Sequence, residues 1–423
     1  MAAHFRRLMS MQHWPDDVRR LVGGRFARDL LDLKRSADEP ETRVEILSAD
    51  EIEPVREAWR DLARRAIEPN PFFEPDFAST ALMHLPESQR PVLAAVWQTA
   101  GDDPRARMIG LWALEQSRAN LFGGVGRSWS FRHGALGTPL IDRLAAARSV
   151  DAMLLWLRAR RLGRSTLVMA QLACNGPAVR LIKERCGSLG LVWAELDPRA
   201  RAVLASEDCR DEAPAHPASA KHRRELDRLA RRLAEQGAVA FRSAWEPAEI
   251  RHPIEWFLAM EQSGWKGRRG TSFLSDVGDA AFLRVATRRL AHAGKCRVDW
   301  LALDDRPIAM AIVLRSGERA YFWKTTFDER FARYSPGVQL ARRLAETQMA
   351  DPAIRLTDSC AIANHPMIDR VWPDRQAMVD LAICVDPARI NAFPTAVRRE
   401  KLQRAVREAA KSAANAALRR QAS

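Results

Sequence analysis

Tyr334-Ser335-Pro336-Gly337 stands immediately before a run of helical spacing, Val338–Glu346. A loop of this composition at a helix start offers unpaired backbone N–H groups and the positive end of the helix dipole, a combination suited to a phosphate-bearing ligand. Gly337 lets the backbone approach a pyrophosphate held across Ser335, Pro336 and Val338; an ordinary turn relieved by glycine is the competing reading. Tyr334 brings a phenol to the same loop, a group able to act as general acid beside a reacting amine or thiolate. Tyr321 is the other of the chain's two tyrosines, and packing inside an apolar run explains it.

Further candidates lie on both sides of this loop. Trp323-Lys324 and Asp328-Glu329 place charged and polar groups where a strand meander ends. Asp358, at the end of Leu356-Thr357-Asp358, belongs beside the helix start, where catalytic groups gather in α/β folds. There it serves either as proton acceptor for an attacking amine or as a turn cap. Cys360 reads as a buried structural thiol sooner than a nucleophile, because no histidine is paired with it locally. His365, before Pro366-Met367-Ile368, is a base or a helix-start cap. Trp265-Lys266-Gly267-Arg268 sets an aromatic face among cations, a clamp for an anionic donor or acceptor or else a surface loop.

The elements that must position these groups follow from periodicity. Val298–Leu303, Ile308–Leu314 and Ala320–Thr326 are strand-length apolar runs separated by turns at Asp304-Asp305-Arg306-Pro307 and Ser316-Gly317. Upstream, Arg43–Leu47, Pro91–Trp97, Met108–Leu114, Ser165–Ala173 and Leu191–Leu196 read as strands; Ile52–Ala66, Val150–Arg161 and Pro177–Cys186 read as helices. Asn70-Pro71-Phe72-Phe73-Glu74-Pro75 reads as an aromatic loop. Gly123-Gly124-Val125-Gly126 lacks the strand-helix setting of a phosphate loop. Downstream, Lys221–Glu235 is a strongly basic helix, a solvated face or a contact for RNA or membrane. Val239–Ser243, Ile254–Glu261, Ala280–Ala293, Ile354–Asp358, Met367–Trp372 and Met378–Val385 complete the second half. Each half has a strand ending in a similar turn, Cys174-Asn175-Gly176-Pro177 or Ala363-Asn364-His365-Pro366, then a short helix and a final strand. That echo supports two related α/β units. The expected organisation is an arm over 1–42, a unit over 43–206, a linker over 207–220, a second unit over 221–395 and a basic helical tail over 396–423.

Composition narrows the class. At 423 residues, 47% hydrophobic and 28% charged, the chain is long enough for two or three domains with substantial cores. Its formal charge of +14, from 67 basic and 53 acidic residues, favours anionic partners. Six scattered cysteines without a CxxC pair or zinc-like spacing argue for a reducing compartment and against a metal site. Met1-Ala2-Ala3-His4-Phe5-Arg6-Arg7 lacks the apolar core of a signal peptide, and no apolar run approaches a membrane-spanning length, so a cytoplasmic chain is expected.

The ordered set Ser263-Gly264-Trp265-Lys266-Gly267, Trp323-Lys324, Asp328-Glu329, Ser335-Pro336-Gly337, Asp358-Ser359-Cys360-Ala361 and His365-Pro366-Met367-Ile368-Asp369-Arg370-Val371-Trp372 resembles the CelD-type acetyltransferases of the GNAT acyltransferase superfamily, a group associated with cellulose and exopolysaccharide biosynthesis. The resemblance is strong from Ala220 to Asp386 and weaker from Arg43 to Leu204. It implies a tandem pair of GNAT-like acyltransferase units, α/β, with mixed sheets flanked by helices, as also in Fem-type peptidoglycan aminoacyltransferases. It further implies acetyl-CoA or another acyl-CoA as donor, no metal, an amine, hydroxyl or saccharide acceptor, and polysaccharide-synthesis proteins as partners. The superfamily's phosphate loop reads Gln/Arg-x-x-Gly-x-Gly/Ala. Tyr334-Ser335-Pro336-Gly337-Val338-Gln339 keeps the central glycine and departs at both ends, which leaves open an aminoacyl-tRNA donor or a non-catalytic scaffold.

On that resemblance the phosphates rest on Ser335, Pro336, Gly337 and Val338, and the acyl arm lies by Trp323 and Lys324. Asp358, His365 and Tyr334 are the expected catalytic groups; Trp265, Lys266 and Asp328 are the expected acceptor contacts.

Overall fold

The computed structural model describes residues 41–421 except 49, 87–89, 102, 116–123, 161–163, 207–208 and 210–219. The expected arm up to residue 40, most of the expected linker and Gly123 lie outside the described residues.

The first half contains β1 (Thr42–Leu47), α1 (Arg56–Arg65), α2 (Pro75–His84), β2 (Pro91–Ala100), β3 (Asp103–Glu115), β4 (Gly124–Arg127), β5 (Leu140–Ile141), α3 (Ala146–Arg160), β6 (Arg164–Ala173), α4 (Pro177–Ser188) and β7 (Trp193–Ala205). The second contains α5 (Ala220–Ala234), β8 (Val239–Ala244), α6 (Arg251–Ser263), α7 (Trp265–Arg268), α8 (Val277–His292), β9 (Cys296–Leu303), β10 (Arg306–Ser316), β11 (Arg319–Phe327), α9 (Pro336–Ala350), β12 (Leu356–Asp358), β13 (Asp374–Cys384) and α10 (Phe393–Gln421). Leaving aside α5, α7, α10 and the two-residue β5, both halves run βααβββαβαβ, with a 3-10 turn at Ile368–Arg370 standing for the last helix of the second. The molecule is a tandem of two GNAT-like α/β units.

The halves are joined through their last strands. One sheet has the order β1-β2-β3-β5, and the other is continuous over β4-β6-β13-β7-β12-β11-β10-β9-β8. Thus β13, from the second half, lies between β6 and β7 of the first, antiparallel to both. In return β7 pairs antiparallel with β12 of the second half. Each half therefore gives its final strand to the other, and the two exchanged strands pair at the centre.

Local chemistry explains most elements. Asp304 and Asp305 have φ of 48° and 63°, the two left-handed positions of a tight hairpin turn, and they set Leu303 opposite Arg306. Two expectations need correction. The aromatic stretch at 70–75 is not a loop: a 3-10 turn at Pro71–Phe73 leads into α2, where Pro75 occupies the first turn and needs no N–H partner. Phe72, Phe73 and Phe77 are all buried there. Residues 264–271 are not an open loop, since Trp265–Arg268 is a short helix; a Cβ on Gly267 would lie 1.7 Å from the Gln262 carbonyl oxygen, so only glycine fits. The basic tail is helical as expected and is anchored to the body of the protein. In α10, buried Glu400 pairs with Arg127, and Arg404 bonds Glu400, Asp197 and Asp380, which fastens the helix to the first half.

The main core unites both halves, with Trp59, Phe72, Phe77, Phe131, Phe282, Tyr321 and Trp323 in one cluster. Buried polar contacts cross the same boundary: Glu74 takes Lys295 and Ser316, and the Tyr321 hydroxyl donates to the Pro69 carbonyl at 2.9 Å. Among the described residues no helix is long and apolar enough to cross a membrane.

Candidate active site

β11 and β12 run parallel and pair over only three residues, Arg319 with Leu356, Ala320 with Thr357 and Tyr321 with Asp358. Past that point β11 continues alongside β10, whereas the chain after Asp358 stays with β7, the Ser359 N–H donating to the Ala202 carbonyl at 3.3 Å. The two edges part. The β10–β11 register shifts at the same level: Ile312 faces Lys324 and Val313 faces Phe322, leaving Trp323 as the extra residue of a β-bulge. A bulge residue is left out of the strand ladder, so its backbone group is available beside the opening. Cys360 packs on the core of one sheet face and Ala361 on that of the other, so the segment after β12 borders both sides of the gap.

The expected phosphate loop lies where β11 leads into α9. A 3-10 helix, Glu329–Tyr334, is followed by Ser335 in the left-handed region at φ 52°, with Pro336 opening α9. The side chain of Gln339 folds back and donates to the Tyr334 carbonyl at 2.8 Å. A Cβ on Gly337 would touch only Met367 Sδ and Phe327 at 3.6 Å, which is ordinary contact. The Val338 and Gln339 N–H groups donate to the Ser335 carbonyl at 3.0 and 3.1 Å, so the first turn of α9 has glycine where room is wanted and offers a ligand the Gly337 N–H. Tyr334 is buried, with the Arg333 guanidinium 4.7 Å above its ring, and supports the loop from inside.

Asp328 folds the loop, instead of facing an acceptor. It accepts the Arg330 N–H at 3.0 Å and pairs with the Arg330 side chain, which holds its carboxyl below the ordinary range. Glu329 next to it accepts Trp265 N–H and Arg268 Nη2, both at 2.7 Å, and so binds α7 to the loop. Trp265 is 45% exposed, with Arg269 over its ring. Lys266 turns inward to buried Glu261 at 2.7 Å and reaches the Thr325 carbonyl at 3.4 Å. Trp265 and Lys266 thus stand at one rim of β11 but do not form one clamp.

The expected catalytic residues separate. Asp358 is buried; one oxygen accepts the Cys360 N–H at 2.7 Å and the other pairs with Arg201 at 3.0 Å. Both oxygens are engaged, so Asp358 holds the strand end in place and is not poised to take a proton. His365 Nδ1 faces the N–H groups of Met367 and Ile368 at 3.4 Å, capping the following turn, and burial depresses its pKa. Trp323 is buried, its indole donating to the His133 carbonyl at 2.6 Å and its ring edge-on to Phe77. Only its backbone can serve the gap. Lys324 is half-buried beside it, 3.5 Å from the Arg132 carbonyl, with no carboxylate at ion-pair distance among the described residues. Its pKa is pushed down to about 8, first by burial and then by Lys266.

Sequence reasoning missed the groups from the first half. The segment after β4 crosses over the gap and brings Phe131, Arg132 and His133 against β11. His133 lies between the rings of Phe273 and Phe282 and touches Asp279 at 3.1 Å. Arg132 already pairs with Asp279, and burial, followed by the Lys324, Arg132 and Lys266 charges, lowers the His133 pKa to about 2. The imidazole is neutral. A cleft of about 470 Å³ opens between this segment, β7 and the chain after β12, lined in part by Arg132, Gln171, Arg199, Arg201 and Cys360. Gln171 and Cys360 both have left-handed backbones, at φ 57° and 54°, and each stands four residues before the asparagine of its half's turn. Strain at equivalent positions of both units converges on one cavity, a pattern found at functional sites. The only sequence signal was the alternation Arg199-Ala200-Arg201-Ala202, hidden behind the strand break at Asp197-Pro198.

Residues 220–364 match the family model of the acetyltransferase (GNAT) domain. No curated protein matches the chain. Among solved structures it is similar to FemX, at 10% identity over 80% of this chain and 96% of that one, TM-score 0.47. It is also similar to a tandem GNAT protein from the clavulanic acid biosynthesis pathway, at 17% identity over 82% and 99%, TM-score 0.40. L-PGS from Bacillus licheniformis is similar at 12% identity over 71% and 87%, TM-score 0.43. The parted strands, the bulge and the loop before α9 all lie within the matched segment, and the chain carries a GNAT acyltransferase domain.

Proposed function

We propose that the protein transfers an acyl group from an acyl-CoA, acetyl-CoA being the simplest, to an amine or hydroxyl acceptor that enters through the cleft between its halves. The observation that carries this is the parting of β11 and β12 beside the bulge at Trp323, with the segment after β12 bordering the core on both faces of the sheet. Acyl-CoA supplies the activated thioester. Ser335, Pro336, Gly337 and Val338 would hold its pyrophosphate at the start of α9. The freed backbone at Trp323 would donate to the thioester carbonyl, where a fixed donor stabilises developing negative charge. A cellulose or exopolysaccharide setting remains an expectation of the resemblance and depends on the acceptor.

Lys324 is the proton acceptor we favour over Asp358 and His365. It is adjacent to the bulge, and its neutral amine is accessible near physiological pH because burial disfavours the charged form. The sign follows: an amine accepts a proton only when deprotonated, so kcat/KM should climb as pH rises toward about 8 and level off above it. Lys324→Met is expected to lower the rate and remove that limb of the profile. A variant profile identical to the parent's would exclude Lys324.

A second reading has its own observation. Lys221, Arg223, Arg224, Arg231 and Arg232 are exposed on α5 with no carboxylate at ion-pair distance among the described residues, and α5 packs against the 3-10 helix of the phosphate loop. Such a face suits a nucleic-acid donor such as aminoacyl-tRNA. A thermal-shift titration with acetyl-CoA, longer acyl-CoAs, free CoA and bulk tRNA separates the two, because a ligand of the folded state raises Tm by mass action. Stabilisation by CoA species supports the acyl-CoA reading. Stabilisation by tRNA alone, fading steeply with salt, supports the second.

A further inference from the structure

The cleft wall contains three guanidinium groups, Arg132, Arg199 and Arg201, and no carboxylate. Each arginine is gripped from outside the cleft by a buried acid: Arg132 by Asp279, Arg199 by Asp380 at 2.8 Å, and Arg201 by Asp358 at 3.0 Å. Arg201, itself 6% exposed, also donates to the Ala135 carbonyl at 3.0 Å. These bonds fix the guanidinium planes and leave further N–H donors on each, since an arginine carries five. Asp380 also has Arg404 as a partner, and Lys324, 3.5 Å from the Arg132 carbonyl, has no ion-pair partner among the described residues. Phe131 and Met378 supply apolar wall, and the volume suits a ligand of small-molecule size.

We infer that the cleft selects an acceptor bearing a carboxylate, an amino-acid-like or amino-sugar-acid amine, whose anionic end the arginine trio holds while its nucleophile reaches toward Lys324. Planar forks held in register recognise planar carboxylates by paired hydrogen bonds, which a flexible ammonium cannot do. The inference rests on the acyl-CoA reading given above and adds no chemical step to it.

The test measures coenzyme A release from acetyl-CoA with matched acceptors differing only in the anion: free amino acids, their amides, and the corresponding decarboxylated amines. The carboxylates are expected to show kcat/KM at least about tenfold above their amides, mainly through KM, as loss of a charge-assisted bond predicts. Arg199→Ala, which leaves Asp380 paired with Arg404, should erase most of that difference. Equal rates for acids and amides, turnover confined to the acceptors that lack a carboxylate, or no acceptor-dependent release with any carboxylate would overturn the inference. Thermal stabilisation by acetyl-CoA, read in the same samples, distinguishes failure here from failure of the donor reading. If stabilisation persists while the carboxylate preference is absent, only the acceptor assignment falls.

Discussion

Asp358→Ala is expected to cost about 3–5 kcal/mol of folding stability, because it leaves Arg201 charged and unpaired inside the protein. The pair is buried on both sides, and Arg201 cannot shed its proton to escape the penalty. A loss of that size is a large part of the roughly 5–15 kcal/mol that holds a typical domain folded. Urea denaturation should show the midpoint fall. The double variant Asp358→Leu with Arg201→Met should recover much of it, since neither charge then needs a partner. The alternative role makes the opposite forecast. Were Asp358 the proton acceptor, Asp358→Ala would fold with parental stability and lose turnover alone, and that outcome would remove it from the architectural role assigned here.

Gly337→Leu is expected to reduce affinity for a CoA donor on the order of a hundredfold, the equivalent of one or two charge-assisted hydrogen bonds to phosphate. The reason is placement. Gly337 follows Pro336 in the first turn of α9, and a side chain there would occupy the approach to its N–H. Gly337→Ala provides the control, because its Cβ would meet only Met367 and Phe327 at 3.6 Å and should leave Tm near that of the parent. Calorimetric titration with CoA reads the effect directly. Parental affinity in a folded Gly337→Leu protein would remove the phosphates from this loop.

The sequence spoke most clearly where local chemistry decides the outcome. Asp304-Asp305 encodes a two-residue turn, Ser335-Pro336-Gly337 a helix start, and the three apolar runs between them a meander, and each is found where expected. Local signals failed where distant segments meet. The second part of β7 was lost because Asp197-Pro198 resembles a strand end, although the strand resumes after a left-handed residue at Asp197. Asp358 was singled out from its place at a strand end, yet its sequence neighbours could not reveal that Arg201, 157 residues away, already holds it. Arg132 and His133 sit in a segment without periodicity, and what puts them over β11 is the shared aromatic core, which is a property of both halves together.

The crossing of β13 into the first half also orders events on the ribosome. Synthesis proceeds from the N-terminus, and β6 and β7 emerge long before the strand that must lie between them. Until residues 374–384 leave the exit tunnel, β6 and β7 lack the strand that pairs with both. Pairings between segments far apart in sequence form slowly, because the intervening chain must first be closed into a loop. Translation therefore imposes an interval of sticky, half-finished sheet, the form in which strand edges invite association with other chains. The exposed edges of β6 and β7 are covered only once β13 has been made.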